Sequence, residues 1–279
     1  HGLGHATRSC AVISSLLSRG YQVDVISTAA PWFLKEELLD VFPGAPIRVF
    51  PRSLDSGAKQ LDAIRVDPFA SLNEYFNTVH SNRSTLLAEE VVYLRRERVR
   101  LVLTDTSALA VCAAADAGVR VALLTNFTWD WIYSQMLDSV MDAYQMDELV
   151  MSPDELAEHY GEREAHWQKL ASFRSMVSDM ADDYALADSY LQYPGSCPEP
   201  HSALMRKRVR PIPLLARLAR RLPMQQWADW LSQGNAKSCD NAVMCSLGGQ
   251  KRKNPVVSIS ASISAFIPPT KLLILYPKA

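Results

Sequence analysis

The sequence predicts an α/β protein whose core is a parallel sheet with helices on both faces. Three observations lead there. Strand-like and helix-like patterns alternate with short links from residue 21 to about residue 127. That rhythm joins strands through crossovers, which makes the sheet parallel and covers both its faces. The opening stretch HGLGHATR, residues 1–8, runs two glycines into a helical pattern, ATRSCAVISSLLSRG. Glycine allows close backbone approach to a ligand, and a helix start offers free N–H groups to an anion. At 279 residues and 48% apolar, the chain can bury one large core or two modest ones.

The elements follow in order. The first helix closes at Gly20; YQVDVIST reads as a strand, PWFLKEELLDVF as a helix with Pro31 in its first turn, and IRVF as a strand. A polar connection with Gly57 precedes a long helical stretch from about Pro68 to Arg98. Its basic end, RRERVR, suits a helix C-terminus. RLVLTD is a buried-strand pattern, TSALAVCAAADAG a small-residue helix and VRVALLTNF another strand. Residues 129 to about 187 are mostly helical with a break near Ser152 and Pro153, where Ser-Pro-Asp-Glu reads as a helix start. SYLQYP is a short strand and PGSCPEP a Pro-rich loop.

Beyond residue 200 the character shifts. Residues 202–228 lack acids yet hold Arg206, Lys207, Arg208, Arg210, Arg217, Arg220 and Arg221. They read either as a phosphate-touching surface or as a solvated linker helix. NAVMCSLGGQ is a strand running into Gly248 and Gly249, which repeats the strand-then-glycine device of the start. After Gln250 the βα rhythm ends. The domain reading is therefore residues 1–200 as a first lobe, 201–240 as a basic hinge or linker, and 241–279 as the stub of a second lobe with an unmatched tail. A second nucleotide-binding domain needs well over a hundred residues.

Composition excludes several classes. A formal charge of −1 gives no general drive toward nucleic acid or an anionic membrane. Five cysteines lack metal-type pairing, and Cys10 and Cys112 fall in apolar helical patterns, so a reducing, cytoplasmic setting fits. No apolar run reaches the roughly 18 residues of a membrane span. The chain starts without Met and without a strand ahead of its glycine loop, so a fragment is expected and a leader is left open.

The loop itself sorts by elimination. A dinucleotide fingerprint is poor, because Thr7 replaces the third glycine and Ser27 and Thr28 end the next strand where an acid would hold a ribose. No Gly-Lys-Ser/Thr occurs, so a P-loop is excluded. The glycine-rich loop of small-molecule kinases of the galactokinase type continues with serines, whereas His5 stands here. A plain helix N-terminus with incidental histidines is the alternative. Sites in such sheets lie at the carboxyl ends of strands, which puts Asp105, Asn126 and the opening loop at one rim.

HGLGHATR, DSGAKQLDAIRVDPFASLNEY, AAADAGVRVALLTNFTWDWIY, ADDY, PGSCPEP, PIPLLAR and LGGQ occur here in sequence. In that order they resemble the glycosyltransferase-like amino-terminal region of plant L-arabinokinases and their stand-alone relatives, over roughly residues 1–250. The resemblance implies a GT-B type architecture of two Rossmann-like lobes, with the acceptor held by the first and a nucleotide sugar by the second. It implies His5 as the base that deprotonates an acceptor hydroxyl and Asp105 as its orienting partner, for transfer with inversion and without a metal. A hydroxyl is a weak nucleophile, and a base braced by a carboxylate activates it. Asp105 has a second reading, as a helix cap, although Thr106 or Ser107 would serve for that.

Gly2, Gly4, Asn126, Trp129 and Asp130 are the candidate substrate contacts. Asn126 would bond a sugar hydroxyl or cap the next helix; Trp129 and Trp131 would stack on a sugar or sit in the core. Gly248 and Gly249 resemble the donor-lobe loop at the diphosphate. The partners implied are a sugar or sugar-bearing acceptor and a nucleotide sugar as co-substrate. No cofactor is implied, and ATP enters only where a kinase domain exists in the parent. The strand before residue 1 would be central in this topology, so YQVDVIST and RLVLTD would pair directly or leave a gap. The resulting reading is the acceptor half of a glycosyltransferase-like protein, inactive alone. The rival is a non-catalytic sugar-binding or regulatory region beside a kinase; a third is an incomplete product that folds poorly.

Overall fold

The computed structural model describes residues 4–62, 65–150, 160–195 and 208–213. Helix α1, Gly4–Leu17, buries Cys10 and Leu17. Cys10 meets Phe33, Leu34 and Leu38 in a small apolar cluster. Gly20 then turns the chain at φ +79°, a conformation glycine adopts without a Cβ penalty. Strand β1, Val23–Ile26, pairs in parallel with β2, Ile47–Phe50. Between them α2, Pro31–Leu34, carries proline in its first turn and runs on as a π-helical turn, Lys35–Leu39.

The polar connection holds a small antiparallel hairpin, β3 (Lys59–Gln60) with β4 (Val66–Asp67), that its composition concealed. The long helical stretch is two helices. Asp67 caps α3, Pro68–Tyr75, by accepting from the Ala70 N–H at 2.9 Å. A π-helical turn, Phe76–His80, follows, and α4 spans Arg83–Arg96. The division falls where the Asn82 side-chain amide donates to the carbonyls of Asn77 and Thr78, at 3.0 and 3.2 Å. Those bonds close the first helix end and free the chain to restart.

The main sheet has the order β5-β6-β7-β8, every neighbouring pair parallel: β5 Leu101–Thr104, β6 Arg120–Thr125, β7 Ser189–Gln192 and β8 Val209–Pro211. Helix α5, Ala108–Ala117, crosses from β5 to β6 and ends on Gly118 at φ +73°. Helices α6, Trp129–Val150, and α7, Tyr160–Ala185, join β6 to β7. The result is the Rossmann-like α/β arrangement of a parallel sheet flanked by helices. Its core gathers Leu109 and Val111 of α5, Leu123 of β6, Tyr133 of α6, and Phe173 and Met176 of α7, each fully buried. Cys112 is also buried and carries a free thiol.

Two features of the sheets bear on the sequence reading. The first lobe's sheet extends past residue 200, because β8 adds to β7 and Arg208 donates to the Ala185 and Ala187 carbonyls at 3.0 and 2.6 Å. Within the basic stretch, Val209–Pro211 is therefore a docked strand and not part of a solvated linker helix. A cation beside the final carbonyls of α7 is favoured by the helix dipole. The strands β1 and β5 lie in separate sheets, so the gap, and not direct pairing, describes them. Side chains connect the halves: Tyr93 donates to Asp24 at 2.7 Å, and Arg48 bridges Asp24 and Glu97. The helix start at Ser152 and Pro153, the rest of the basic stretch, the second-lobe stub and Cys197, Cys239 and Cys245 lie outside the described residues.

Candidate functional site

His5 and Arg8 stand three apart on α1, so they project from one face of its first turns. Asp105 follows β5, Thr125 and Asn126 close β6, and Tyr193 follows β7. All three strands are parallel, so these residues meet at one carboxyl rim. His5 Nδ1 lies 3.0 Å from Asp105 Oδ2. Arg8 forks onto the same carboxylate, Nε donating to Oδ2 at 2.9 Å and Nη2 donating to Oδ1. Its Nη1 donates to Asn126 Oδ1 at 2.5 Å and its Nη2 to Thr125 Oγ1 at 3.2 Å. The guanidinium also sits 5.3 Å from the centre of the Tyr193 ring. The Phe127 ring meets the imidazole edge-on at 5.4 Å.

The protons of this cluster can be placed by counting donors. Arg8 Nη2 lies 2.8 Å from His5 Nδ1, but both its hydrogens have takers in Asp105 Oδ1 and Thr125 Oγ1. Assigning the Nδ1 proton to Asp105 then leaves Arg8 its other acceptors and leaves the lone pair on Nε2. His5 is 40% exposed against 18% for Asp105, so the imidazole is the reachable member of the pair. Burial raises the Asp105 carboxyl, but hydrogen bonds and charge from His5 and Arg8 outweigh that and hold it below the usual carboxylate range. Burial, with the Asp105 charge adding, pushes the Tyr193 phenol up to about 12.

Three sequence-derived candidates therefore converge: His5, Asp105 and Asn126. Helix capping does not occupy them. Ser107 caps α5, accepting from the Ala110 N–H at 3.3 Å, and the amide nitrogen at the head of α6, Trp129 N, donates to the Tyr184 hydroxyl. Gly4 opens α1, and a Cβ there would meet nothing within 4 Å, so its neighbours do not enforce glycine. Gly2, Gly248 and Gly249 lie outside the described residues.

Trp129 and Asp130 are placed differently from expectation. Trp129 is 8% exposed, stacks on Tyr133 and donates from Nε1 to Asp55 at 2.6 Å, so its ring faces belong to the core and not to a sugar. Asp130 is 1% exposed and likewise sits inside the protein. The aromatic sequence around the rim packs inward because α6 must bury one face against α3 and α7.

Arg8 and Asp55 carry roles that sequence reasoning missed. Arg8 had a signal, the three-residue spacing from His5. Asp55 had none, since its side-chain partners, Thr106 and Trp129, are remote in sequence. Its Oδ1 accepts from the Ser56 and Gly57 N–H groups at 2.7 and 3.2 Å, and its Oδ2 from Thr106 and Trp129 at 3.1 and 2.6 Å. Burial pushes this carboxyl up to about 6, with those hydrogen bonds opposing. Through Thr106 it anchors the residue that follows Asp105. Tyr184 holds the same loop from the other side, donating to the Thr106 carbonyl.

Fold and site together define an α/β protein with a polar, histidine-bearing cluster at the carboxyl rim of its parallel sheet. Over 200 residues the chain is 33% identical to L-arabinokinase of Arabidopsis thaliana, a stretch that is 72% of this chain and 16% of that protein. It is thus related to a region of L-arabinokinase and spans only 16% of that relative's length. No family model matches the chain, and no solved structure matches it. Among the described residues no helix is long and apolar enough to cross a membrane.

Proposed function

We propose that this chain is the acceptor-binding half of a nucleotide-sugar-dependent, glycosyltransferase-like protein. One observation carries the reading: a half-exposed imidazole braced at 3.0 Å by a half-buried carboxylate on the carboxyl rim of a parallel sheet. In the proposed reaction His5 Nε2 removes the proton from an acceptor hydroxyl as its oxygen attacks the anomeric carbon of the donor sugar. The bond from that carbon to the diphosphate breaks, the nucleoside diphosphate leaves, and the anomeric configuration inverts. Asp105 fixes the Nδ1–H tautomer and stabilises the imidazolium that forms. The donor would be held by a second lobe opening with Gly248 and Gly249. Removing a general base typically costs about 10²–10⁴ in rate. The test is turnover of a panel of nucleotide sugars by the full-length protein, wild type against His5→Ala, with circular dichroism as the folding control. Transfer surviving within a few-fold in His5→Ala overturns the base assignment.

A second reading draws on the same relative. The similarity to L-arabinokinase supports a non-catalytic sugar-binding or regulatory region of a sugar kinase, with L-arabinose as the first ligand to try. Under that reading the rim binds the free sugar and no nucleotide sugar is turned over. Saturable L-arabinose binding without turnover favours it, and turnover that depends on His5 rules it out.

A further inference from the structure

Among the residues at the rim, Arg8 touches every other member of the cluster, and the chemistry of guanidinium fixes what each contact must be. Arginine has five donors and no acceptor. The Asn126 atom 2.5 Å from Nη1 is therefore the amide oxygen, which leaves the Asn126 Nδ2 hydrogens directed elsewhere. Among the described residues no group takes them. The fork onto Asp105 cancels one charge with another, so the cluster is neutral as a unit when His5 is neutral. We propose that Arg8 is the positioning residue of the rim, holding His5 Nε2 as an acceptor and Asn126 Nδ2 as a donor toward adjacent hydroxyls of an uncharged sugar. The proposal rests on the sugar-acceptor reading for its ligand, but not for Arg8's effect on the two side chains.

Electrostatics gives the consequence. The charged and titratable groups facing His5 are Arg8 on α1, Asp105 after β5 and Tyr193 after β7. The end of β6 supplies the neutral Thr125, Asn126 and Phe127. Asp105 draws a proton onto the imidazole, and Arg8 offsets that pull by engaging both carboxylate oxygens. Without Arg8 the whole carboxylate charge acts on His5. The fork that turns Asp105 Oδ2 toward Nδ1 is then gone, and the Nδ1–H tautomer is no longer enforced.

The experiment is long-range ¹⁵N–¹H NMR on the full-length protein with ¹⁵N-labelled histidine and asparagine, resonances assigned by their loss in His5→Ala and Asn126→Ala. The wild type is expected to show the neutral tautomer protonated at Nδ1. Arg8→Met is expected to lose that single tautomer, with Nδ1- and Nε2-protonated forms both seen, and to release the Asn126 amide. Arg8→Lys keeps the charge and loses the fork; it is expected to leave the tautomer mixed and the Asn126 amide without its fixed environment. A merely structural role would leave the tautomer of a folded Arg8→Met unchanged. A wild-type His5 protonated at Nε2 overturns the proposal even where Arg8→Met fails to fold. A single Nδ1–H tautomer with an unmoved Asn126 amide in a folded Arg8→Met also overturns it. For the ligand, millimolar L-arabinose is expected to shift the Asn126 amide and inorganic phosphate to leave it in place. The reverse overturns the uncharged-ligand assignment. A shift from neither probe overturns the sugar-hydroxyl reading of the rim, while the tautomer and the Asn126 amide still decide Arg8's part.

Discussion

Replacing Asp55 by asparagine tests how a buried acid supports the rim, because the expected effect changes with pH. The Asp55 carboxyl is near 6 in the folded protein against an ordinary 3.8. A raised acid binds its proton more tightly when folded, so protonation stabilises the fold. That contribution is complete below the unfolded value and is lost as pH rises through 6. Its full size is about 3 kcal/mol, and about 1.4 kcal/mol of it appears between pH 8 and pH 5. Asparagine cannot titrate. It also cannot serve all four donors: whichever way the amide turns, its NH₂ faces either the Trp129 indole N–H or two backbone N–H groups. An unsatisfied buried donor costs about 1–3 kcal/mol, while above pH 6 the variant is spared a desolvated charge of about 3 kcal/mol. The two nearly cancel at pH 8. The variant should therefore unfold close to the wild type at pH 8 and fall behind by about 1.4 kcal/mol at pH 5, about 3–6 °C in Tm. Urea or thermal unfolding of both proteins at the two pH values measures this. Parallel stability-against-pH curves would refute the reasoning, since they would mean the carboxyl does not titrate between its folded and unfolded values as argued.

Further predictions concern the rim and the backbone. Asp105, held low when folded, contributes stability present above its unfolded value and lost as pH falls through the folded one. Asp105→Asn should consequently destabilise the protein at pH 7 by about 3 kcal/mol, leaving Arg8 unpaired, and flatten the acid limb; denaturant melts from pH 2 to 7 read both. Tyr184→Phe removes a hydroxyl that accepts from Trp129 N and donates to the Thr106 carbonyl, so a loss of about 1–3 kcal/mol is expected by chemical denaturation. Gly118→Ala meets no neighbour within 4 Å but must sit at φ +73°; it should cost about 1 kcal/mol, and a neutral result would show that the turn relaxes.

Much of the fold was legible because it is written in local periodicity. IRVF and RVALLT lie within strands, and ALAVCAAADA forms a helix closed by a left-handed glycine, as their patterns require. The β3–β4 hairpin was not legible, since two-residue strands carry too few side chains to alternate. The split between α3 and α4 was hidden because residues 80–85, HSNRST, hold no Gly or Pro to mark a stop. Only the Asn82 amide, reaching back to two carbonyls, stops the first helix. Trp129 looked the same on paper as a sugar platform and as a core residue, and Tyr133 behind it settled the matter.

By itself the sequence determined a parallel α/β sheet and put His5, Asp105 and Asn126 at strand ends or a helix start, because residue patterns encode which segments are strands and helices. Tertiary structure decided that Arg8 ties those three together and that Asp55 anchors the loop behind them. Hydrogen bonds such as Arg8 to Asn126 join residues 118 apart in the chain. Their strength comes from geometry and exclusion of water, which exist only once the sheet has brought the strand ends together.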